Sequence, residues 1–126
     1  MKDLVNFGKA IADPTRARIL KALQQADLCV CELVDALEIS QSTLSTHLQT
    51  LRNAAVVQTK RRRSWIIYSI EPSVRPALQE IFEHFPSTDG RAIRDLERLS
   101  MRMLLRVDGC CVVGAGKLSK ELTHVM

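Results

Sequence analysis

Between Gln41 and Ala54 three leucines, Leu44, Leu48 and Leu51, recur at i, i+4 and i+7, the spacing that stacks side chains on one face of an α-helix. At about 100° per residue, Ser42, Ser45, Thr46, Gln49 and Asn53 turn away from that face. A helix facing only solvent usually carries Lys and Glu there. This one offers small neutral hydrogen-bonding groups. The break before it is very short, Ile39-Ser40, with Ser40 placed to cap the free N–H groups of the first turn. A shorter helix precedes it from about Val30 to Glu38, with Leu33, Val34 and Leu37 on one side. Two short helices joined by so tight a turn, the second with a polar uncharged face, predict a helix-turn-helix whose second member enters a major groove.

The flanking segments fit around that pair. Leu4, Phe7, Gly8 and Ile11 describe a first amphipathic helix that stops near Ala12, and Asp13-Pro14-Thr15 restarts a second, with Ile19, Leu20 and Leu23 as its core face. After Ala55 the pattern becomes strand-like. Val56 to Thr59 and Trp65 to Ile70 are rich in β-branched and aromatic residues, so a hairpin is expected with Lys60-Arg61-Arg62-Arg63 as its turn. A helix from Val74 to about Phe85 follows, with Val74, Leu78, Ile81, Phe82 and Phe85 in one stripe. So short a chain cannot bury every apolar stripe internally, and this helix and the first are expected to form the surface of a two-fold dimer.

Pro86 to Gly90 is the clearest linker. It divides the chain into a domain over 1–86 and an extension over 87–126. The extension holds a helix from Arg91 to Val107, with Ile93, Leu96, Leu99, Met103, Leu104 and Val107 as its apolar positions, and a tail from Asp108 to Met126. Arginines 91, 94, 98, 102 and 106 form a second stripe on that helix, expected to be a solvated face partly neutralised by Asp95 and Glu97. The fold class expected is mainly α with a small β-hairpin: a winged helix-turn-helix of order α-α-α-α-β-β-α, plus a C-terminal helical extension and tail.

Charge is concentrated. The 126 residues carry 18 Lys and Arg against 14 Asp and Glu, a net +4, and the run from Lys60 to Arg63 alone holds four positive charges. A cationic tip on an otherwise balanced protein predicts contact with phosphate. Ser40, Gln41, Ser42, Thr43, Ser45, Thr46, His47 and Gln49 on the neighbouring helix are the candidates to read or frame bases.

Three motifs narrow the assignment. Asp13-Pro14-Thr15-Arg16-Ala17-Arg18-Ile19-Leu20, Leu28-Cys29-Val30-Cys31-Glu32-Leu33 and Ser40-Gln41-Ser42-Thr43-Leu44-Ser45-Thr46-His47-Leu48 occur in the order found in the ArsR/SmtB family of metal-responsive repressors, which the chain resembles over about residues 4 to 85. The resemblance implies a homodimeric repressor that holds double-stranded operator DNA until its ligand binds. The chain departs from that family's pattern in three places. Val34 stands where a third cysteine often completes the arsenic box, Ala55 where a Gly usually follows the recognition helix, and Arg62-Arg63-Ser64 where the wing turn has its Gly.

The ligand set must then draw on the tail. Cys29 and Cys31, two apart, would point about 200° from one another on a regular helix, so chelation requires Cys29 outside it. At a helix start both thiols would feel its positive end, which is expected to favour thiolate. Asp108-Gly109-Cys110-Cys111 brings two further thiols past a glycine that permits a sharp bend. Cys29, Cys31, Cys110 and Cys111 are therefore the metal-ligand candidates. Three thiolates suit As(III) or Sb(III), the favoured inducers, and four suit Cd, Pb or Zn. A thiol-redox or persulfide sensor on the same scaffold is the alternative.

Other chemistry is excluded by particulars. Gly114-Ala115-Gly116-Lys117 lacks the flanking Gly and Ser/Thr of a phosphate loop, since Cys111 and Leu118 occupy those positions. His47, His84 and His124 assemble with no partner at ligand spacing, and no nucleophile–base pair is assigned, so no enzyme is expected. With no apolar run of membrane-spanning length and no export signal, a cytoplasmic protein without a membrane partner is expected.

Overall fold

In the computed structural model, which describes residues 1–116 and 118, six helices accompany a small antiparallel sheet. Lys117 and residues 119–126, including His124 and the end of the expected tail, lie outside the described residues. The elements run α1 (Lys2–Ile11), α2 (Pro14–Gln25), β1 (Leu28–Cys29), α3 (Val30–Leu37), α4 (Gln41–Asn53), β2 (Val57–Arg62), β3 (Trp65–Ile70), α5 (Arg75–His84) and α6 (Gly90–Met103). This is a winged helix-turn-helix with an added C-terminal helix.

Local chemistry sets the helix starts. Asp13, Ser40 and Asp89 each accept the backbone N–H three residues on, at 3.0, 3.3 and 2.8 Å. α3 ends because Glu38 turns left-handed, at φ 56°. The core lies where α2, α3 and α4 meet the sheet: Ile19, Leu20, Leu23, Leu28, Leu33, Leu37, Leu44, Leu48, Leu51, Val56, Ile70 and Leu78 are all essentially inaccessible. α4 is thus held by its leucines while its polar face stays outside.

Three expectations need correction. The sheet has a third strand, β1, paired to β3 through Leu28↔Tyr68 and Cys29↔Ile67; two residues are too few to show a period-2 pattern in sequence. The basic run is not the hairpin turn, because Lys60, Arg61 and Arg62 continue β2, paired with Ile67, Ile66 and Trp65, and the turn is Arg63-Ser64. The largest correction concerns α6, which also ends at Met103 rather than Val107. Its arginine stripe is the inward face, with Arg98 and Arg102 buried, while Ile93, Leu96, Leu104 and Val107 face outward.

The cause is a row of acids on α3. Arg102 Nε donates to Asp35 at 2.6 Å, Arg106 grips Glu32 at 2.6 and 3.0 Å, and Glu38 receives Arg91 at 3.2 Å and Arg94. Asp95, on α6 itself, takes Arg18 of α2 at 2.8 Å and Arg91 at 3.0 Å. Buried charges persist only when paired, so α6 turns its guanidiniums to the acids, keeps Leu99 in the core beside them and leaves Ile93 and Leu96 outside.

Two left-handed residues give the first prediction. Ala55 and Arg63 sit at φ 57° and 58°, where any Cβ is strained. Ala55→Gly is expected to leave stability unchanged or raise it by up to ~1 kcal/mol, whereas Ala55→Val should lower it, as read by urea unfolding.

The second prediction concerns acid. The Arg94 guanidinium, with Arg98 and Arg91 nearby, holds the Glu38 carboxyl down to about 2, well below the usual carboxylate value. A carboxylate depressed by folding stabilises the native state above its unfolded pKa, and that contribution is lost as pH falls from about 4.5 towards 2. Glu38→Gln should therefore flatten the decline of stability across that window, by about 1 kcal/mol once solvent screening of its arginine partners is counted. An equally steep decline in the variant would refute the contribution of the Glu38–arginine pairs.

Candidate functional site

β1 ends at Cys29, which is extended (φ −85°, ψ 167°) and caps α3, so its side chain is not bound to helical geometry. Its N–H donates to Glu32 Oε1 at 3.1 Å. Across from it a tight bend, left-handed at both Asp108 and Gly109, closes a two-residue loop in which Val107 and Cys110 exchange backbone hydrogen bonds of 2.9 and 3.0 Å. That bend returns the chain so that Cys111 faces Cys29.

The thiols of Cys29 and Cys111 and a carboxylate oxygen of Glu32 all lie within 4.8 Å of one another, and all three residues are buried. Two arginines frame them. Arg106 holds both Glu32 oxygens. Arg102 Nη2 lies 3.8 Å from the Cys111 sulfur and donates to the carbonyls of Val113 and Gly114 at 2.9 and 3.3 Å. Asp35 completes the clasp, accepting Gly116 N–H at 2.7 Å with its other oxygen. The Cys111 thiol itself donates to the Val113 carbonyl at 3.2 Å.

Cys31 and Cys110 border this group. Cys31 is half-buried on α3 and packs against the apolar surroundings of Cys29, Ile67 and Cys111. Cys110 lines a cavity of about 240 Å³ together with Cys111, Glu32, Asp27, Trp65, Ile67 and Arg106. The helix-start expectation for thiolate is overturned at Cys29. Burial pushes its thiol well above the usual range, outweighing the hydrogen bond from the first turn of α3. Glu32 is also penalised by burial, yet the hydrogen bond from Arg106 holds its carboxyl below the usual value.

Glu32, Asp35, Arg102 and Arg106 are the site residues that sequence reasoning missed. A signal existed. Glu32, Asp35 and Glu38 recur every third position on α3, and the arginines of α6 recur every third or fourth, so the two charge rows are complementary.

On the outer face of α4, Gln41, Ser42, Thr43, Ser45, Thr46 and Gln49 are exposed, as is the capping Ser40. Gln49 donates to Asn53 at 2.8 Å and Thr46 to the Ser42 carbonyl at 3.1 Å. His47 is half-buried and turned to α2, 3.2 Å from Arg16 and 4.0 Å from Asp13. On the wing Lys60, Arg61, Arg62 and Arg63 are all exposed, but the pleat divides them. Cys29, Ile67 and Lys60 form one row across the sheet, and Trp65 and Arg62 the next row on the same face, so Lys60 and Arg62 border the thiol cavity while Arg61 projects from the opposite face.

A family described as bacterial regulatory protein, arsR family, matches residues 13–59. The chain is 45% identical over 67 residues to the arsenic resistance transcriptional regulator ArsR1 of Pseudomonas putida, a stretch covering 52% of each protein, so only about half of that relative's length is spanned. HlyU from Vibrio cholerae is similar in structure with a TM-score of 0.63 at 31% identity, over 68% of this chain and 95% of HlyU. The homodimeric winged helix-turn-helix DNA-binding domain of Mb0332 from Mycobacterium bovis gives a TM-score of 0.59 at 25% identity, over 70% and 89%. With a further match of 31% identity over 103 residues, 69% of this chain and 90% of the arsenic resistance transcriptional regulator ArsR2 of Pseudomonas putida, the chain belongs to the ArsR family of bacterial regulatory proteins.

Proposed function

We propose that the protein is a cytoplasmic, homodimeric repressor of an arsenic-resistance operon that leaves its operator when As(III) or Sb(III) binds cysteine thiolates. The observation that carries this reading is the meeting of Cys29 and Cys111 with Glu32 at the first turn of α3. α3 packs on α4, so a ligand that draws the two thiols onto one ion pulls on the helix that supports the recognition helix. The strand pairing of Cys29 with β3 extends that pull to the wing. For the ion to expel DNA it must bind the free form more tightly, and a 100-fold preference corresponds to a coupling of about 2.7 kcal/mol.

Cys29 and Cys111 are the first ligands in this reading, with Cys31 and Cys110 in reserve. Sulfur favours the soft ions; Glu32 is the one hard donor, and a site that recruited it would suit Cd, Pb or Zn. A second reading rests on the same proximity. Two thiols this close can also be oxidised by an external peroxide, which takes both electrons and both protons to leave as water, giving a disulfide that would release DNA without retaining an ion. Ion stoichiometry on the released protein separates the two.

DNA contact is proposed through Ser42, Ser45, Thr46 and Gln49 on the exposed face of α4 and through the wing arginines, with exposed Leu4 and Val5 of α1 and Phe85 after α5 contributing to the dimer surface. Replacing Arg61, Arg62 and Arg63 by Ala should weaken binding to all duplexes alike and shrink the log-log salt slope by about 0.9 for each phosphate no longer neutralised. Gln49→Ala should instead change the preference between sequences. An unchanged slope in the triple variant would remove the wing from the interface.

Release is tested on a fragment of the gene's own upstream DNA. Cys29→Ser and Cys111→Ser should each bind that fragment normally and fail to leave it on addition of arsenite, while Cys31→Ser and Cys110→Ser should respond within a few-fold of the parent. If Cys29→Ser and Cys111→Ser both dissociate as the parent does, the inducer site lies elsewhere.

A further inference from the structure

A cleft of about 310 Å³ opens between α2, α5 and the start of α6, and it shares no wall residue with the thiol cavity. Its apolar side is built from Ala17 of α2, Phe82 of α5 and Ala92, Leu96 and Leu99 of α6, the last three at i, i+4 and i+7 on one helix face. Residues 87–99 supply one wall, so the cleft depends on the docking of α6.

Its charges do not balance. Arg18, Lys21 and Arg91 line it against Asp89 and Asp95. Asp95 receives Arg18 at 2.8 and 2.9 Å and Arg91 at 3.0 Å, and Asp89 accepts the Ala92 N–H at 2.8 Å as the cap of α6. Both carboxylates are therefore engaged. Lys21 has no carboxylate partner among the described residues, and its ammonium lies 5.0 Å from the centre of the Phe82 ring. In the adjoining groove on its other flank, Arg75 and Glu83 offset one another in charge.

We propose that this cleft binds a small monocarboxylate with an apolar body of one or two rings and is a second effector site. Its volume is at the lower end of the ~300–1,000 Å³ of ligand pockets, which suits such a body and excludes a lipid or a nucleotide. The rings lie among Phe82, Leu96 and Leu99, and the carboxylate meets the Lys21 ammonium, with the exposed Ser87 hydroxyl as a further donor in the wall. A second carboxylate on the ligand would face Asp89 and Asp95, so a dianion is disfavoured. The effector role rests on the repressor reading. Arg18 and Arg91 both donate to the Leu37 carbonyl, Arg91 at 2.7 Å, three residues before the Ser40 cap of α4. A carboxylate bound beside these guanidiniums competes for their hydrogen bonds at the joint between α3 and α4.

Calorimetry on the full chain compares 2-naphthoate, its neutral amide and naphthalene-2,6-dicarboxylate. One 2-naphthoate is expected to bind per chain, at least ten-fold tighter than either of the others. Lys21→Met should bring 2-naphthoate down to the affinity of the amide, and Ala92→Leu should weaken all three probes by filling the cleft. Cys29→Ser with Cys111→Ser should bind 2-naphthoate as the parent does. Equal affinity for acid and amide, undiminished acid binding in Lys21→Met or loss of binding in the thiol variant overturns the site. No binding of any probe also overturns it, in favour of another occupant such as a second copy of the chain. The effector role is scored separately on the upstream DNA fragment, whose affinity should change at least three-fold at saturating 2-naphthoate; no change overturns that role. Failure of the unliganded protein to hold the fragment counts instead against the repressor reading, while calorimetry still decides the cleft.

Discussion

The ion pair between Asp35 and Arg102 is the joint on which the rest of the thiol–carboxylate cluster depends. Both side chains are almost wholly buried, and each does more than neutralise the other. Asp35 also takes the backbone N–H of Gly116, and Arg102 also takes the carbonyls of Val113 and Gly114 and approaches the Cys111 sulfur. One pair therefore fastens α6 to α3 and folds the following segment back over β1. A hydrophobic contact of similar area would bind the helix equally well, but it would not fix which carbonyls and which thiol face inward. Directional bonds do that, and an unpaired charge left behind by loss of either partner would cost several kcal/mol.

The same helix, α3, links the two ends of the molecule. At its start Cys29 and Glu32 sit in the thiol–carboxylate cluster, and at its end the left-handed Glu38 leads through Ile39 to the cap of α4. Its underside is leucine core shared with α4, so α3 cannot turn without disturbing the recognition helix. Glu38 adds a second restraint by receiving Arg91 and Arg94 from α6. The extension thus grips α3 along its whole length, and movement of the Cys111 segment is transmitted to a helix that is already braced.

The sheet supplies a second route. Because Cys29 is in register with Ile67 and Ile67 with Lys60, the wing is two hydrogen-bonded steps from the thiols. Strand alternation also gives the basic run a double character, with Lys60 and Arg62 beside the cavity and Arg61 on the far face. A charge run read as one patch from sequence is therefore two surfaces in the fold.

Much of this was legible in the sequence. The four N-terminal helices, the hairpin, the helix after it and the helix of the extension follow from spacing, caps and β-branched runs, because each depends on residues within a few positions of one another. The sharp bend at Gly109 and the departure of Cys29 from helical geometry were legible for the same reason. What spacing could not say was which face of α6 is buried. By hydropathy Ile93, Leu96, Leu104 and Val107 should point inward, yet they point out. That inversion was decided by pairs such as Arg102 with Asp35, 67 positions apart in the chain. The choice of Cys111 over Cys110, and the entry of Glu32 into the site, follow from that docking. Sequence by itself determined the elements, since their energetics are local; the tertiary structure alone decided which thiols and carboxylates meet, since burial makes a charge choose its partner across space rather than along the chain.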